Sequence, residues 1–408
     1  MLPPRIRICL AAFTLDFAVM AGITVTPFFV LKQLGGTEQT SGVFGAVQAA
    51  AYASLALLSA GFVSRAKNGL TIAAGGILFY ALFYASMPLF RDWRVILAVS
   101  TVAYAALALV WPALHSWVGA EPDPQQRART MSWFNIAWSF GFSLSPLLAG
   151  PLYDLNFHYP FIALAVIAGI AFALVRSLPH ESAHFTEPTE ELLMARAEHD
   201  KASESFLWAG WCATFIANLL AGGIRFIYPK RIDDLIQSGE LRIVGDIAPA
   251  EYLISAPATN YSFLAFSFSI STALMFLMLG RTTWWQHRFS FLVGMQAASA
   301  VAIYILGRTH SLVIMGACSS VIGAFLGLAF FSATYYSLSN PARKHGRAAI
   351  NEAAVGFGGF FGSLACGYVA QHYGIVTPYL YAPMLIAIAI ALQIVLLRLA
   401  SRRGAATR

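Results

Sequence analysis

The sequence predicts an all-α integral membrane protein with twelve transmembrane helices in two pseudo-symmetric six-helix bundles. Three observations predict it. The chain of 408 residues is 58% hydrophobic and only 11% charged, with a mean hydropathy of +0.66, whereas soluble domains carry about 25% charged residues. Apolar runs of about 20 residues recur along it, the length that crosses a hydrocarbon core of roughly 30 Å. A long polar stretch, 178–205, divides the chain nearly in half, with six apolar runs on each side.

The spans read as 8–30, 42–63, 69–90, 95–118, 131–151, 159–177, 206–228, 262–281, 288–306, 311–338, 348–371 and 376–399. Lipid admits only helices or closed barrels. Continuous apolar runs, rather than ten-residue alternation, select helices. The first run follows Met1–Arg7 as a signal peptide would. It is too long for such a peptide and lacks a small-x-small cleavage site, so it is the first span. The domains are then an N-terminal bundle, 1–177, a cytoplasmic linker, 178–205, and a C-terminal bundle, 206–408. The linker holds Leu192, Leu193 and Met194 among charges. It reads equally as a short amphipathic helix on the membrane surface or as a tether. The extended outer loop 229–261 carries Asp233, Asp234, Glu240, Asp246 and Glu251. It is either a continuation of the flanking helices, the favoured reading, or a lid.

The net charge is +7. The basic residues sit in short clusters between apolar runs, not in a stripe that would track nucleic acid. With the N-terminus inside, they favour that side by about eighteen to eight. Both termini are therefore expected in the cytoplasm, with the protein in the cell (inner) membrane. Cys9, Cys212, Cys318 and Cys366 each fall in an apolar run without metal spacing, so buried reduced thiols are expected, with no disulfide and no metal. Neither a phosphate-binding glycine loop nor His-Glu-x-x-His nor Gly-x-Ser-x-Gly occurs. No enzymatic activity, ATP use or cofactor is expected.

The halves echo each other. Trp111–Ser116 ends span four, a loop with Arg127 and Arg129 follows, and span five carries Asn135, Gly141 and Gly150. Phe331–Ser337 ends span ten, a loop with Arg343, Lys344 and Arg347 follows, and span eleven carries Asn351-Glu352, Gly358 and Gly367. The glycine interval is nine residues in both. Two related halves, a central linker and both ends inside resemble the major facilitator superfamily over nearly the whole chain. The loop Gly61–Gly69 is similar to that family's loop after span two in its glycine and its Arg65 and Lys67, but lacks the acidic residue. Gly141, Pro146 and Gly150 resemble its glycine–proline antiporter pattern. The resemblance implies a central cavity between two rocking bundles.

Polar side chains in lipid are costly and should face such a cavity or another helix. Ser41, Gln48, Tyr52 and Ser59 form one helical stripe. So do Ser100, Tyr104, Trp111 and His115, and likewise Thr214, Asn218, Gly222 and Arg225. Each stripe is either a wet aromatic-lined surface or a helix–helix contact through small and polar residues. Ser132, Asn135, Ser139 and Ser143 read as a packing face, as do Gly358/Gly362 and Gly359/Ser363. Asp16 lies mid-span between Leu15 and Phe17 with no cation at matching depth. It is a structural pair or, as favoured here, a carboxyl that takes up a proton on one side and releases it on the other. Glu352 caps or snorkels at the start of span eleven, or gates and couples there. His115 packs, or relays protons. Arg225 anchors at the interface, or binds an anionic group. Gln48, Tyr52, Tyr104, Trp111, His115, Asn218, Arg225 and Tyr335 form the candidate substrate set.

The expectation is a secondary active transporter of a small organic solute, with protons as coupling partner and the lipid bilayer as solvent. It is expected to act as a monomer and to lean to efflux. A non-transporting sensor or scaffold and a lipid flippase are the alternatives.

Overall fold

The computed structural model describes residues 2–63, 69–119, 124–179, 190–247, 250, 253, 255–338 and 344–406. The loop after span two (64–68), residues 180–189 of the linker and the basic loop 339–343 lie outside the described residues. The first half contains α1 (Pro4–Phe28), α2 (Glu38–Val63), α3 (Gly69–Ser86), α4 (Trp93–Leu107), α5 (Val110–Gly119), α6 (Pro124–Leu144), α7 (Pro146–Leu155) and α8 (Tyr159–Arg176). The second contains α9 (Glu190–Phe226), α10 (Tyr228–Gln237), α11 (Pro257–Arg281), α12 (Phe289–Arg308), α13 (Leu312–Leu338), α14 (Lys344–Tyr373) and α15 (Thr377–Ala406). Among the described residues, eleven helical segments are long and apolar enough to cross a membrane. The twelfth crossing is the jointed pair α6–α7. Both termini thus lie on one face, called here the terminal face. The opposite one is the far face.

Prolines set the joints. Pro112 has no N–H for the carbonyl of Ala108, and its ring crowds that turn. The fourth crossing accordingly breaks between α4 and α5, with Ala108 and Leu109 closing tighter turns onto Ala105 and Ala106. Pro146 opens the fifth crossing in the same way at Ser145, whose hydroxyl donates instead to the carbonyl of Phe17, 2.6 Å away. Other helix starts are sealed locally. Asp92 caps α4 by accepting from the Arg94 N–H at 2.8 Å. Gly374, at φ +99°, turns the chain from α14 into α15.

The packing repeats between halves. α1 lies against α6, α7 and α8, and α9 lies against α14 and α15. α3 packs on α8 as α12 packs on α15. The glycines chosen from sequence occupy equivalent crossings. A side chain at Gly141 would strike the carbonyl oxygen of Phe13, and one at Gly358 that of Phe215. Gly150 meets the start of α11 at Ala258 and Ser262, as Gly367 meets the start of α2 at Glu38 and Gly42. The halves face each other chiefly through α2 on α14 and through α6–α7 on α11.

Two expectations need correction. The linker does not end where span seven begins, because α9 is one helix from Glu190 to Phe226. The stretch 229–261 does not simply prolong its neighbours. Pro229 cannot donate to the carbonyl of Arg225, so the helix stops and restarts as the amphipathic α10, which buries Tyr228, Ile232 and Leu235. Among the described residues that follow, Arg242 and Ser311 form a parallel bridge, and the Leu312 and Val313 N–H groups donate to the Arg242 and Ile243 carbonyls. Of the four free cysteines only Cys318 is buried; the others are partly exposed.

Candidate functional site

Asp16 is the thirteenth of the 25 residues of α1, its midpoint, and is 6% exposed. No hydrogen bond or ion pair holds it among the described residues. Glu352, half-buried on α14, is likewise without such a partner among the described residues. It lies eight residues into its helix, about 12 Å at 1.5 Å per residue. Tyr52 of α2 lies within electrostatic reach of both carboxyls. One acid from each half therefore lies within electrostatic reach of the same tyrosine. An unpaired carboxylate charge away from water costs several kcal/mol, and proton uptake removes it.

The repeat relates these acids to amides. Phe13 and Phe215 occupy equivalent crossings, and Asp16 and Asn218 each follow by three residues. Gly141 and Gly358 are equivalent too, and Asn135 and Glu352 each precede by six. Each half thus keeps one acid and one amide, on exchanged helices. Asn218 turns its amide onto the Thr214 carbonyl at 2.9 Å and backs onto Gly358. Thr214 donates to Ala329 at 3.1 Å, and Gly222 abuts Gly359 and Ser363. The stripe on span seven is therefore mostly a packing face, because these small residues let α9 approach α13 and α14.

Arg225 departs from that stripe and from the interface. Its guanidinium lies 5.5 Å from the Phe142 ring centre and 5.6 Å from that of Phe268. Arg225 lies in the last turn of α9, and its side chain reaches inward from there toward Phe268, eleven residues into α11. Tyr261 and Tyr104 lie within electrostatic reach of it. Tyr104 packs against Tyr84 and Tyr80, at 6.1 and 6.3 Å between centroids. Gln48, 2% exposed, lies beside Tyr84.

The stripe on span four divides at its joint. Tyr104 turns to α3 and Arg225, whereas Trp111 and His115 turn to α6, with His115 at 5.4 Å and Trp111 at 6.3 Å from Phe134. Tyr335 stands apart, edge-on at 5.3 Å to both Trp285 and Tyr336 near the terminal face. The hydroxyls of Ser139 and Ser143 return to their own helix carbonyls at 2.8 and 2.7 Å, which leaves that face free to pack.

Among the described residues, the hydrogen bonds and ion pairs that cross between the halves gather at the far face. Ser41 donates to the Phe226 carbonyl at 2.6 Å. Asp154 of α7 accepts from the Thr259 N–H at 2.6 Å, the Thr259 hydroxyl at 2.7 Å and the Ala258 N–H at 3.3 Å. Lys32 pairs with Asp233 at 2.9 Å, and Lys230 reaches Glu38 at 4.0 Å. The far face is closed in this structure. Sequence reasoning missed Asp154, Phe142 and Phe268. An acid at a span's end and two phenylalanines in apolar runs carry no periodic signal that separates them from their neighbours.

A family model, that of the Major Facilitator Superfamily, matches residues 8–238. No curated protein matches. Among solved structures, a proton-dependent oligopeptide transporter is similar with TM-score 0.73 and 12% identity, over 98% of this chain and 99% of that one. The nucleoside transporter NupG is similar with TM-score 0.71 and 13% identity, over 97% and 99%. A bacterial homologue of the human lysosomal transporter Spinster, inward-facing and unoccupied, has TM-score 0.69 and 14% identity over 98% of both chains. At these identities the likeness is one of fold.

Proposed function

Because this chain belongs to the major facilitator superfamily, we propose that it is a secondary active transporter that carries a small organic solute by alternating access, driven by protons. The observation that carries this reading is the pair of unpartnered acids, Asp16 and Glu352, one from each half, within reach of Tyr52. A carrier needs a group that is charged when exposed to one side and neutral while it crosses apolar surroundings. A carboxyl on a helix that belongs to a moving bundle meets that need. Placing the acids on opposite halves lets rocking change their distance and their access to water together.

The terminal face is assigned to the cytoplasm of the cell (inner) membrane, in line with the excess of basic residues there. Export is the proposed direction. The Gly141–Pro146–Gly150 pattern supports it, since Pro146 supplies a joint at which the fifth crossing bends against α11.

The test is solute flux into proteoliposomes under an imposed pH gradient, for wild type, Asp16→Asn and Glu352→Gln. Wild-type flux is expected to follow the gradient, and the Asn variant to lose that dependence. An Asp16→Asn protein with the wild-type rate and pH dependence would remove this residue from the mechanism. Flux of no solute, with retained ligand binding, would favour the sensor reading. Movement of labelled phospholipid alone would favour a flippase.

A further inference from the structure

Arg225 is a half-buried positive charge that reaches inward from the last turn of α9, without a counter-ion among the described residues. Its side chain makes no hydrogen bond or ion pair among the described residues, and its Nε is both buried and unpartnered. An isolated charge held partly out of water is costly, and a chain that carries one gains by offering it to a ligand. Two neighbouring polar groups are in the same condition. The buried Tyr104 hydroxyl and both the Oε1 and the Nε2 of Gln48, a residue only 2% exposed, have beside them only the Tyr84 hydroxyl, which no well-formed hydrogen bond joins to either. Buried polar atoms are rarely left unpaired in folded proteins. Three such side chains, from α2, the fourth crossing and α9, cluster here on both sides of the seam.

We propose that Arg225, Tyr104 and Gln48 form the head-group subsite for the transported solute, and that this head group is a single carboxylate on an aromatic or aliphatic body. The proposal rests on the transport reading above and names its substrate class. The charge count selects a monoanion. Toward the far face, Lys32 is paired with Asp233, Lys230 with Glu38 and Asp234, and Arg231 donates to the Thr309 carbonyl. Within this cluster the Arg225 guanidinium is the cation, which matches one carboxylate and not a phosphate dianion. Phe142 and Phe268 cover the guanidinium with their rings. That arrangement strips water from it and leaves its N–H edge for the ligand. The same rings offer an apolar wall to the body of the solute. The tyrosine hydroxyl and the glutamine amide supply the further donors that a carboxylate with four lone-pair sites accepts. Asp16 is within electrostatic reach of Tyr80 as well as Tyr52, and Tyr80 packs against Tyr104, so the proton site borders the head-group subsite.

The experiment is binding to the purified full chain in nanodiscs, read by thermal stabilisation and tryptophan fluorescence at neutral pH. The probes are phenylacetate, phenylacetamide and phenethylamine, and the matching hexanoate, hexanamide and hexylamine. Each trio changes only the head group. The carboxylates are expected to bind at least about tenfold more tightly than their amides and amines, the range of a charge-assisted hydrogen-bonded pair. Arg225→Gln is expected to abolish that preference, Arg225→Lys to keep part of it because the charge stays and the fork is lost, and Tyr104→Phe to weaken carboxylate binding about threefold to tenfold. Melting of each unliganded variant reports its folding. No carboxylate preference in the wild type with either body overturns the proposal, as does a preference that survives Arg225→Gln. Binding is read without flux. Carboxylates that bind but never cross the membrane refute the transport reading and leave the subsite standing. Gradient-driven flux of neutral or cationic solutes, without carboxylate binding, refutes the subsite and leaves transport standing.

Discussion

Removing the Asp154 carboxylate should open the far face. In the closed state this side chain receives two N–H groups and a hydroxyl at the start of α11. The contact exists only while α7 lies on α11, so its free energy counts toward the closed state alone. Losing a capping side chain costs about 1 kcal/mol, within a range of 0.5–2. Losing a negative charge at a helix N-terminus adds about 0.3–1 kcal/mol, more when partly buried. Asp154→Ala therefore weakens closure by about 2 kcal/mol, a shift of roughly thirtyfold in the closed-to-open ratio. Asp154→Asn keeps an acceptor and loses the charge, and should shift the ratio by about half as much in free energy. The assay is distance measurement between spin labels at exposed His158 and Glu240, after replacement of Cys9, Cys212, Cys318 and Cys366. A longer-distance population should grow in the order wild type, Asn, Ala. Identical distributions in wild type and Asp154→Ala would refute the assignment of this contact to closure. Equal effects of Asn and Ala would remove the charge from the argument.

The remaining predictions concern packing. Gly141→Val and Gly358→Val should each lower thermal stability by several degrees, because each side chain meets a backbone carbonyl of the neighbouring helix; unchanged melting in either would mean the helices can part without loss. Gln296 and Gln393 are fully buried and exchange two hydrogen bonds of 2.9 Å. Gln393→Leu should cost about 1–3 kcal/mol by stranding its partner, and the double Leu variant should recover most of it; additive losses in melting would contradict that pairing. Lys32→Ala should change stability by no more than about 1 kcal/mol, with salt screening the effect, because the pair is partly exposed; a large, salt-independent loss would show a buried role instead.

The apolar runs alone were enough to locate the crossings, since hydrocarbon excludes unsatisfied backbone and a run of given length has one way to cross it. The duplication was legible too. A nine-residue glycine interval recurs wherever the same crossing recurs, and Gly141 with Gly358 and Gly150 with Gly367 meet equivalent neighbours. Asp16 and Arg225 could be singled out because a charge inside an apolar run is costly wherever it points. What each helical face meets was not legible. Periodicity places Thr214, Asn218 and Arg225 on one stripe, yet the first two pack against α13 and α14 while the arginine reaches between the halves. Tyr104 and Trp111 share a stripe until the joint before Pro112 turns them apart. The closure by Asp154 joins residues more than a hundred positions apart. Local sequence sets which side of its own helix a residue occupies; the crossing angles and breaks that bring two such sides together arise only when all the helices pack at once.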